Sequence, residues 1–311
     1  MPRLSILDQS PISEGSSGPD ALQNTLDLAR LGDELGYERY WVAEHHGGLM
    51  LAGPSPEVLI GPIASATERI RVGSGGVMLP HYSPFKVAET FSVLAGLFRG
   101  RIDLGIGRAA GTDPLTTFAL QRDRRDAAPD DFPQQLVELL GYLNGSLPAD
   151  FPFRHLPASL PGLPEKPEVW MLGSSHQSAI WAEELGLPYA FADFINPAGP
   201  DPADIVCASA ICAETDEEAE RLAASGRMAF AMLRQGRPIA IPPVDKALRF
   251  LETSEPPAGR RAVLGSPETV KRGLEEVAAA YQADEVMVVT ITHEHAARRR
   301  SYELIAEAMI R

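Results

Sequence analysis

The sequence predicts an α/β protein folded as one (β/α)8 barrel over residues 1–311. Three observations carry this expectation. Short apolar runs rich in β-branched and aromatic residues alternate with helical stretches, mostly through short links, which is the rhythm of a parallel sheet. Polar and titratable residues gather just after several of these runs, where a parallel barrel keeps its ligand crevice. A chain of 311 residues is also long enough to close such a barrel in a single domain.

Leu4–Asp8 reads as the first strand, closed by Gln9, Ser10 and Pro11. After a Gly/Ser loop, Asp20 is the expected cap of a helix with Leu22, Leu26, Ala29 and Leu35 on one face and Gly36 as its stop. The second strand opens the stretch Arg39-Tyr-Trp-Val-Ala-Glu-His-His46; Tyr40, Trp41 and Val42 suit a buried strand, and Glu44, His45 and His46 stand at its end. A helix over Pro56–Ala66 leads to a third strand, Arg69–Leu79, interrupted by Gly73, Gly75 and Gly76. Glycines inside a strand mark a bulge or a close approach. Pro84 opens a helix to Phe98, and Gly100–Gly107 is a fourth strand running into Arg108.

Asp130–Leu143 suits a helix, whereas six prolines between Pro148 and Pro167 impose an irregular excursion. The rhythm then resumes with strand five (Glu168–Gly173), a helix (His176–Leu185), strand six (Pro188–Ala192) and strand seven (Ile205–Cys212). A helix over Thr215–Leu233 has an acidic first turn that suits its dipole. A proline-containing connection follows, then a helix from a Ser266 cap to Tyr281, strand eight (Asp284–Thr290) and a closing helix (Arg298–Ile310).

Only Phe194–Asp204 joins strands six and seven, and its three prolines rule out a crossover helix there. Its residues, at about 3.3 Å each, reach roughly 36 Å, ample for returning along a strand of about 20 Å. The parallel topology is therefore kept with one outer helix missing. Apolar residues such as Ile205 and Cys207 are expected to need cover, from the Pro148–Pro167 excursion or a second copy, and a homodimer is the expected state.

The net charge of −14 and the lack of a Lys/Arg-rich block argue against a nucleic-acid surface. No stretch approaches the roughly 18 apolar residues of a membrane span, and the amino terminus lacks the apolar core of a signal peptide, so a cytoplasmic location is expected. Cys207 and Cys212 point to opposite faces of one strand, which excludes a disulfide between them.

The strongest local signal for chemistry is Leu172-Gly-Ser-Ser-His-Gln-Ser178, between a strand and a helix. Helix N-terminal amides and hydroxyls together make an anion site suited to phosphate. An N-cap role accounts for one serine, not three. Arg108, at the end of the neighbouring strand four, can supply charge to the same oxygens; the alternative is an ordinary surface ion pair. Glu44, His45 and His46 invite a metal reading, but adjacent histidines on an extended segment diverge and no second cluster has ligand spacing, so no metal is expected. No Walker loop, nucleophile elbow or dinucleotide-binding glycine fingerprint occurs. Asp103, inside strand four, reads as structural.

Trp-Val-Ala-Glu-His-His, Val-Gly-Ser-Gly-Gly-Val-Met-Leu-Pro, Gly-Arg-Ile-Asp-Leu-Gly-Ile-Gly-Arg, Leu-Gly-Ser-Ser-His-Gln-Ser-Ala and Gly265-Ser-Pro-Glu-Thr-Val follow one another along nearly the whole chain. In these motifs and their order the sequence resembles the bacterial luciferase-like flavin monooxygenase family. The resemblance implies a (β/α)8 barrel that binds reduced FMN, or in one branch the deazaflavin F420. It places His45 as the catalytic histidine beside the flavin; Glu44, its neighbour at the strand's end, is expected from that position to orient the ring. Gly75 and Gly76 fall at a strand-three bulge that often holds a non-proline cis peptide against the isoalloxazine. Arg108, Ser174, Ser175 and Ser178 match the phosphate-binding positions, and Leu172 counts with them as a cofactor-binding position.

The resemblance implies a monooxygenase that receives reduced FMN from a separate flavin reductase and oxidises a small organic substrate. An F420-dependent hydride-transfer reductase and a non-catalytic flavin-binding protein are the alternatives. Gly107 stands where the light-emitting members carry a reactive cysteine, so light emission is not implied.

Overall fold

Side chains of a strand alternate between its two faces, and here that alternation divides the core into an inner and an outer layer. A computed structural model describes residues 1–108, 113–120, 130–197, 202–254 and 261–310 of the chain. Its strands are β1 (Arg3–Asp8), β2 (Arg39–Val42), β3 (Arg71–Met78), β4 (Ile102–Gly107), β5 (Glu168–Gly173), β6 (Tyr189–Ala192), β7 (Ile205–Cys212), β8 (Ala262–Gly265) and β9 (Glu285–Val289). β1 to β7 pair in sequence order, β7 pairs with β9 and β9 returns to β1, all in parallel. This closes an eight-stranded barrel. β8 lies outside the ring, against the last four residues of β7.

The helices are α1 (Gly18–Leu35), α2 (Pro56–Ser65), α3 (Pro84–Leu97), α4 (Pro114–Leu120), α5 (Phe132–Asn144), α6 (His176–Leu185), α7 (Asp216–Arg234), α8 (Val244–Leu251), α9 (Pro267–Tyr281) and α10 (His295–Met309). β8, α4 and α8 are additions to the sequence-based expectation. α1 begins earlier than expected. Ser17 is its N-cap and Asp20 the third helical residue, the two exchanging hydrogen bonds in a capping box.

Leu7, Trp41, Trp170, Ile205, Cys207 and Met287 face into the barrel, while Ile6, Tyr40, Val42, Val206 and Val288 face the helices. Beneath the apolar inner layer lies a layer of charge. Arg39 reaches Asp103 at 2.8 Å, Glu285 at 3.3 Å and Glu168 at 3.4 Å, and Arg71 joins it through Asp103 and Glu168. Trp41 Nε1 donates to Asp103 at 2.9 Å, and the Arg39 guanidinium lies 4.7 Å from the Trp170 ring centroid. Asp103 is thus a structural residue that ties three strands, β2, β3 and β4, at the amino end of the barrel.

Two large indole rings inside the ring of strands leave little room opposite them. A Cβ on Gly73 would lie 2.9 Å from Trp41 and 2.6 Å from Asp103.

The link between β6 and β7 contains no helix among its described residues, as expected, but the expected exposed patch does not form. Ile205 and Cys207 point into the barrel and are buried there. The outward residues of this sector, Phe191 and Val206, belong to the outer core; Tyr281 of α9 stacks on Phe191 with centroids 5.0 Å apart. Strand seven turns Ile205 and Cys207 inward rather than outward, and α9 covers the sector. The argument for a dimer from an uncovered patch therefore falls.

A second buried charge pair pins the last helix to the barrel. Asp8 receives Arg298 at 2.5 Å, with Tyr40 Oη also at 2.5 Å and the Ser10 amide at 2.6 Å. Burial alone would raise the Asp8 carboxyl; Arg298 and the hydrogen bonds outweigh it and hold the group below the usual carboxylate range. A depressed folded pKa means this contribution is complete above about pH 4 and fades as pH falls through the depressed value. Arg298→Ala leaves a buried carboxylate without its cation and is expected to cost about 3–5 kcal/mol at pH 7. The orphaned Asp8 then titrates above its unfolded value, so the deficit should shrink as pH approaches about 4. Urea unfolding at the two pH values checks this; an equal deficit at both would show that Arg298 acts by packing alone.

Candidate active site

A cavity of about 990 Å³ opens at the carboxyl ends of the barrel strands. This is large for a single small ligand, since pockets commonly span about 300–1,000 Å³. Loop residues lace its rim. Ile12 N donates to Met50 O and Ile241 N donates to Ile12 O, both at 2.8 Å, and Leu51 and Ile241 line the opening.

His45, Gly75, Gly76, Arg108, Leu172, Ser174, Ser175 and Ser178, singled out from separate parts of the sequence, all line this one cavity. Glu44 does not. Its side chain is fully buried behind the wall, where Oε2 accepts from Met78 N at 2.9 Å and Oε1 from Tyr82 Oη at 2.9 Å. The same Oε1 lies 2.7 Å from His46 Nε2. The expectation that Glu44 orients the ring of His45 is thereby corrected: along an extended segment His46, two positions on, shares its face and His45 does not. Burial, then the charge of Glu44, raises the Tyr82 phenol well above its usual value, which keeps it protonated as a donor. Glu44 ties the loop carrying His45 to the end of β3.

The Gly75–Gly76 peptide is cis and sits in the register shift between Ser74 and Val77. A Cβ on Gly75 would lie 2.5 Å from Leu7, and one on Gly76 2.8 Å from the Gly105 carbonyl and 3.1 Å from Leu172. This stretch of wall can only be bare backbone, a flat face on which a planar ring system can rest.

At the other side of the mouth, β5 runs into α6 through Ser174 and Ser175. Ser175 is the N-cap residue, yet its side chain makes no capping bond to the helix. Its hydroxyl lies 3.1 Å from that of Ser178, which also bonds the Ser175 carbonyl at 2.8 Å. Gly173 is required here because a Cβ would lie 1.9 Å from the Ser178 hydroxyl. Arg108 extends from β4 over Trp181 of α6, 5.6 Å from the ring centroid. A guanidinium, serine hydroxyls and the amides of a helix N-terminus therefore converge, a donor set for a phosphate or similar anion.

The cavity-facing thiol, Cys207, is pushed up to about 12, by burial first and then by the charges of Glu285 and Asp193, so it offers no thiolate near neutral pH. Among the described residues no cluster of His, Cys, Asp and Glu could hold a metal, and no helix is long and apolar enough to cross a membrane.

Sequence reasoning missed two parts of the wall. Trp181 stands three residues after Ser178 on α6, a spacing that puts both on one face and could have been noticed. Ala223, Arg227 and Phe230 of α7 line the cavity at helical spacing, but a sequence does not reveal which face of a helix meets a ligand.

Residues 3–285 match the sequence family described as luciferase-like monooxygenase. The chain belongs to that family. One relative in it is the N-acetyl-S-alkylcysteine monooxygenase of Bacillus subtilis (strain 168), 36% identical, with 100% of this chain and 99% of the relative aligned. Among solved structures, apo-MsnO8 superposes with a TM-score of 0.90 at 40% identity, covering 100% of this chain and 99% of that one. The oxygenating constituent of 3,6-diketocamphane monooxygenase from Pseudomonas putida, a type II Baeyer–Villiger monooxygenase solved with FMN, has a TM-score of 0.72 at 20% identity over 98% of this chain and 97% of that one, a likeness of fold. The (β/α)8 architecture of this luciferase-like protein is shared with both.

Proposed function

We propose that the protein is an FMN-dependent monooxygenase that takes reduced flavin from a separate reductase and oxygenates a small organic substrate. The observation that carries the reading is the convergence of Arg108, Ser174, Ser175 and Ser178 on the same cavity as the bare Gly75–Gly76 wall and His45. The donor set suits the dianionic phosphate of FMN, and the glycine wall suits the flat face of its ring. The fold shared with an oxygenating constituent solved with FMN supports the same assignment and a separate source of reducing equivalents. F420 also carries a phosphate, but the more similar N-acetyl-S-alkylcysteine relative is a monooxygenase, which favours FMN over an F420-dependent hydride transfer.

Bound reduced FMN supplies the two electrons with which dioxygen is split, one atom passing to the substrate and the other leaving as water. The chain's own residues do the rest. Arg108 and the serines fix the phosphate, and α6 adds its N-terminal dipole. Trp41, Trp170 and the charge layer below them close the barrel floor to water. His45, on the cavity wall beside the glycine strand, holds or moves the proton that the oxygen transfer requires; an imidazole ordinarily titrates near neutrality and serves in either direction. Glu44 acts through position, holding the His45–His46 loop against Met78 and Tyr82.

Arg108→Ala, or Ser175→Ala with Ser178→Ala, should weaken FMN by about tenfold or more while leaving riboflavin, which has no phosphate, nearly unchanged; charge-assisted hydrogen bonds contribute roughly 1.5–3 kcal/mol each. Fluorescence titration with both flavins checks this, and equal losses for the two would show that these residues hold the ring or the fold instead.

His45→Ala is expected to bind FMN normally and to lose about 10²–10⁴-fold in substrate oxidation with a reductase supplying reduced FMN. Unchanged turnover in that variant would remove the histidine from the mechanism.

A further inference from the structure

Beyond the flavin-binding side, the cavity extends two strand positions round the barrel from β5 to a second lobe beneath α7. Its wall there is apolar, with Ile211 of β7, Leu264 of β8, Phe230 of α7 and Ile241. Two arginines break this surface. Arg227 lies one helical turn before Phe230 on the same face of α7, and Arg261 immediately precedes β8. The chain carries a net charge of −14, yet the lining described here includes Arg108, Arg227 and Arg261 against the single carboxylate of Glu220. With Arg108 given to the flavin phosphate, the α7 lobe retains two cations and one anion.

Their partners differ in a way that suits ligand exchange. Arg261 is fixed from behind: Asp193, 1% exposed, accepts from Nη2 at 2.5 Å and from Nε at 3.2 Å, and is itself held by Tyr281 Oη at 2.8 Å. One edge of the guanidinium is thus engaged, leaving Nη1 as the nitrogen that no described residue holds. Among the described residues Arg227 pairs with Glu220, at 2.7 Å, and both side chains are about half exposed (40% and 55%). An exposed pair of this kind contributes little, so a ligand carboxylate can take the place of Glu220 at small cost. An arginine oriented by a buried aspartate and, on the lining of the same cavity, an arginine with an exchangeable partner can receive a planar anion through several hydrogen bonds.

We propose that the α7 lobe is the substrate subsite and that it selects an amphipathic small molecule with a carboxylate, the charged end held by Arg227 and Arg261 and the apolar body lying against Phe230, Ile211 and Leu264. This deepens the flavin reading and rests on it only in assigning the opposite end of the cavity to FMN. Selectivity follows from the same charges: a cationic end group would be repelled by the two guanidinium groups, and a neutral one would forgo the charge-assisted hydrogen bonds that a carboxylate accepts.

The test uses the full chain saturated with oxidised FMN, titrated calorimetrically with octanoate and with octan-1-ol. Octanoate should bind at least tenfold more tightly. Arg227→Gln should remove that preference while octan-1-ol and FMN affinities stay in place. Glu220→Gln should strengthen octanoate binding, because the competing carboxylate is gone; this exposed position keeps the test clear of folding defects, whereas replacing Arg261 strips buried Asp193 of its partner. No preference for octanoate over octan-1-ol, or a preference indifferent to both Arg227→Gln and Glu220→Gln, overturns the proposal.

Octanoate that competes with FMN and depends on Arg108 would lie at the phosphate end, which also overturns it. FMN titration of the same samples separates the two readings. Normal FMN binding without octanoate preference sinks the subsite alone. Octanoate preference dependent on Arg227 without FMN binding sinks the flavin reading and leaves the subsite standing.

Discussion

The layer of buried charge at the amino end of the barrel governs what the rest of the interior can be. Arg39 is set against Asp103, Glu168 and Glu285, contributed by three other strands. Charges taken out of water are costly unless every partner is in place, so this layer tolerates few alternative registers. It also orients the indoles above it, one through a hydrogen bond to Asp103 and one by stacking against the Arg39 guanidinium. The two rings meet edge to face with centroids 5.6 Å apart and fill the middle of the barrel. The cavity lies above them, and part of its wall is glycine because the facing strand has no room for a Cβ.

The strand–helix rhythm was legible because parallel strands and amphipathic helices write opposite periods into the chain. So was the cavity wall: His45, Arg108 and the serines each follow a strand or stand at its end, the glycine pair lies in the last half of one, and a parallel barrel gathers all such ends on one side. What sequence could not give is parity and partnership. Ile205 and Cys207 read equally well as inward or outward residues, since strand seven is apolar on both faces, and only pairing with β6 and β9 decides the matter. Glu44 lies beside two histidines in sequence, and which ring it meets depends on the turn that follows β2. The prolines of the β6–β7 link account for the lack of a helix among its described residues, but the compensating position of α9 is a tertiary fact.

Additions outside the basic barrel shape the active side. β8 extends the β7 edge beyond the ring, and α8 packs on α7, so the carboxyl end of β7 carries a second tier that deepens the cavity. In the proposed function the flavin takes the side built from β3 to β6 and their loops, and this tier shapes the lobe under α7.

The account turns on one cavity holding the flavin phosphate at α6 and the ring against the glycine wall. A crystal structure of the protein soaked with FMN tests this most directly. The expected result is a phosphate within hydrogen-bond distance of Arg108, Ser175 and Ser178, with the isoalloxazine over Gly75–Gly76 and facing His45. A flavin whose phosphate is ordered instead by Arg227 and Arg261, or one bound outside the barrel mouth, would contradict it.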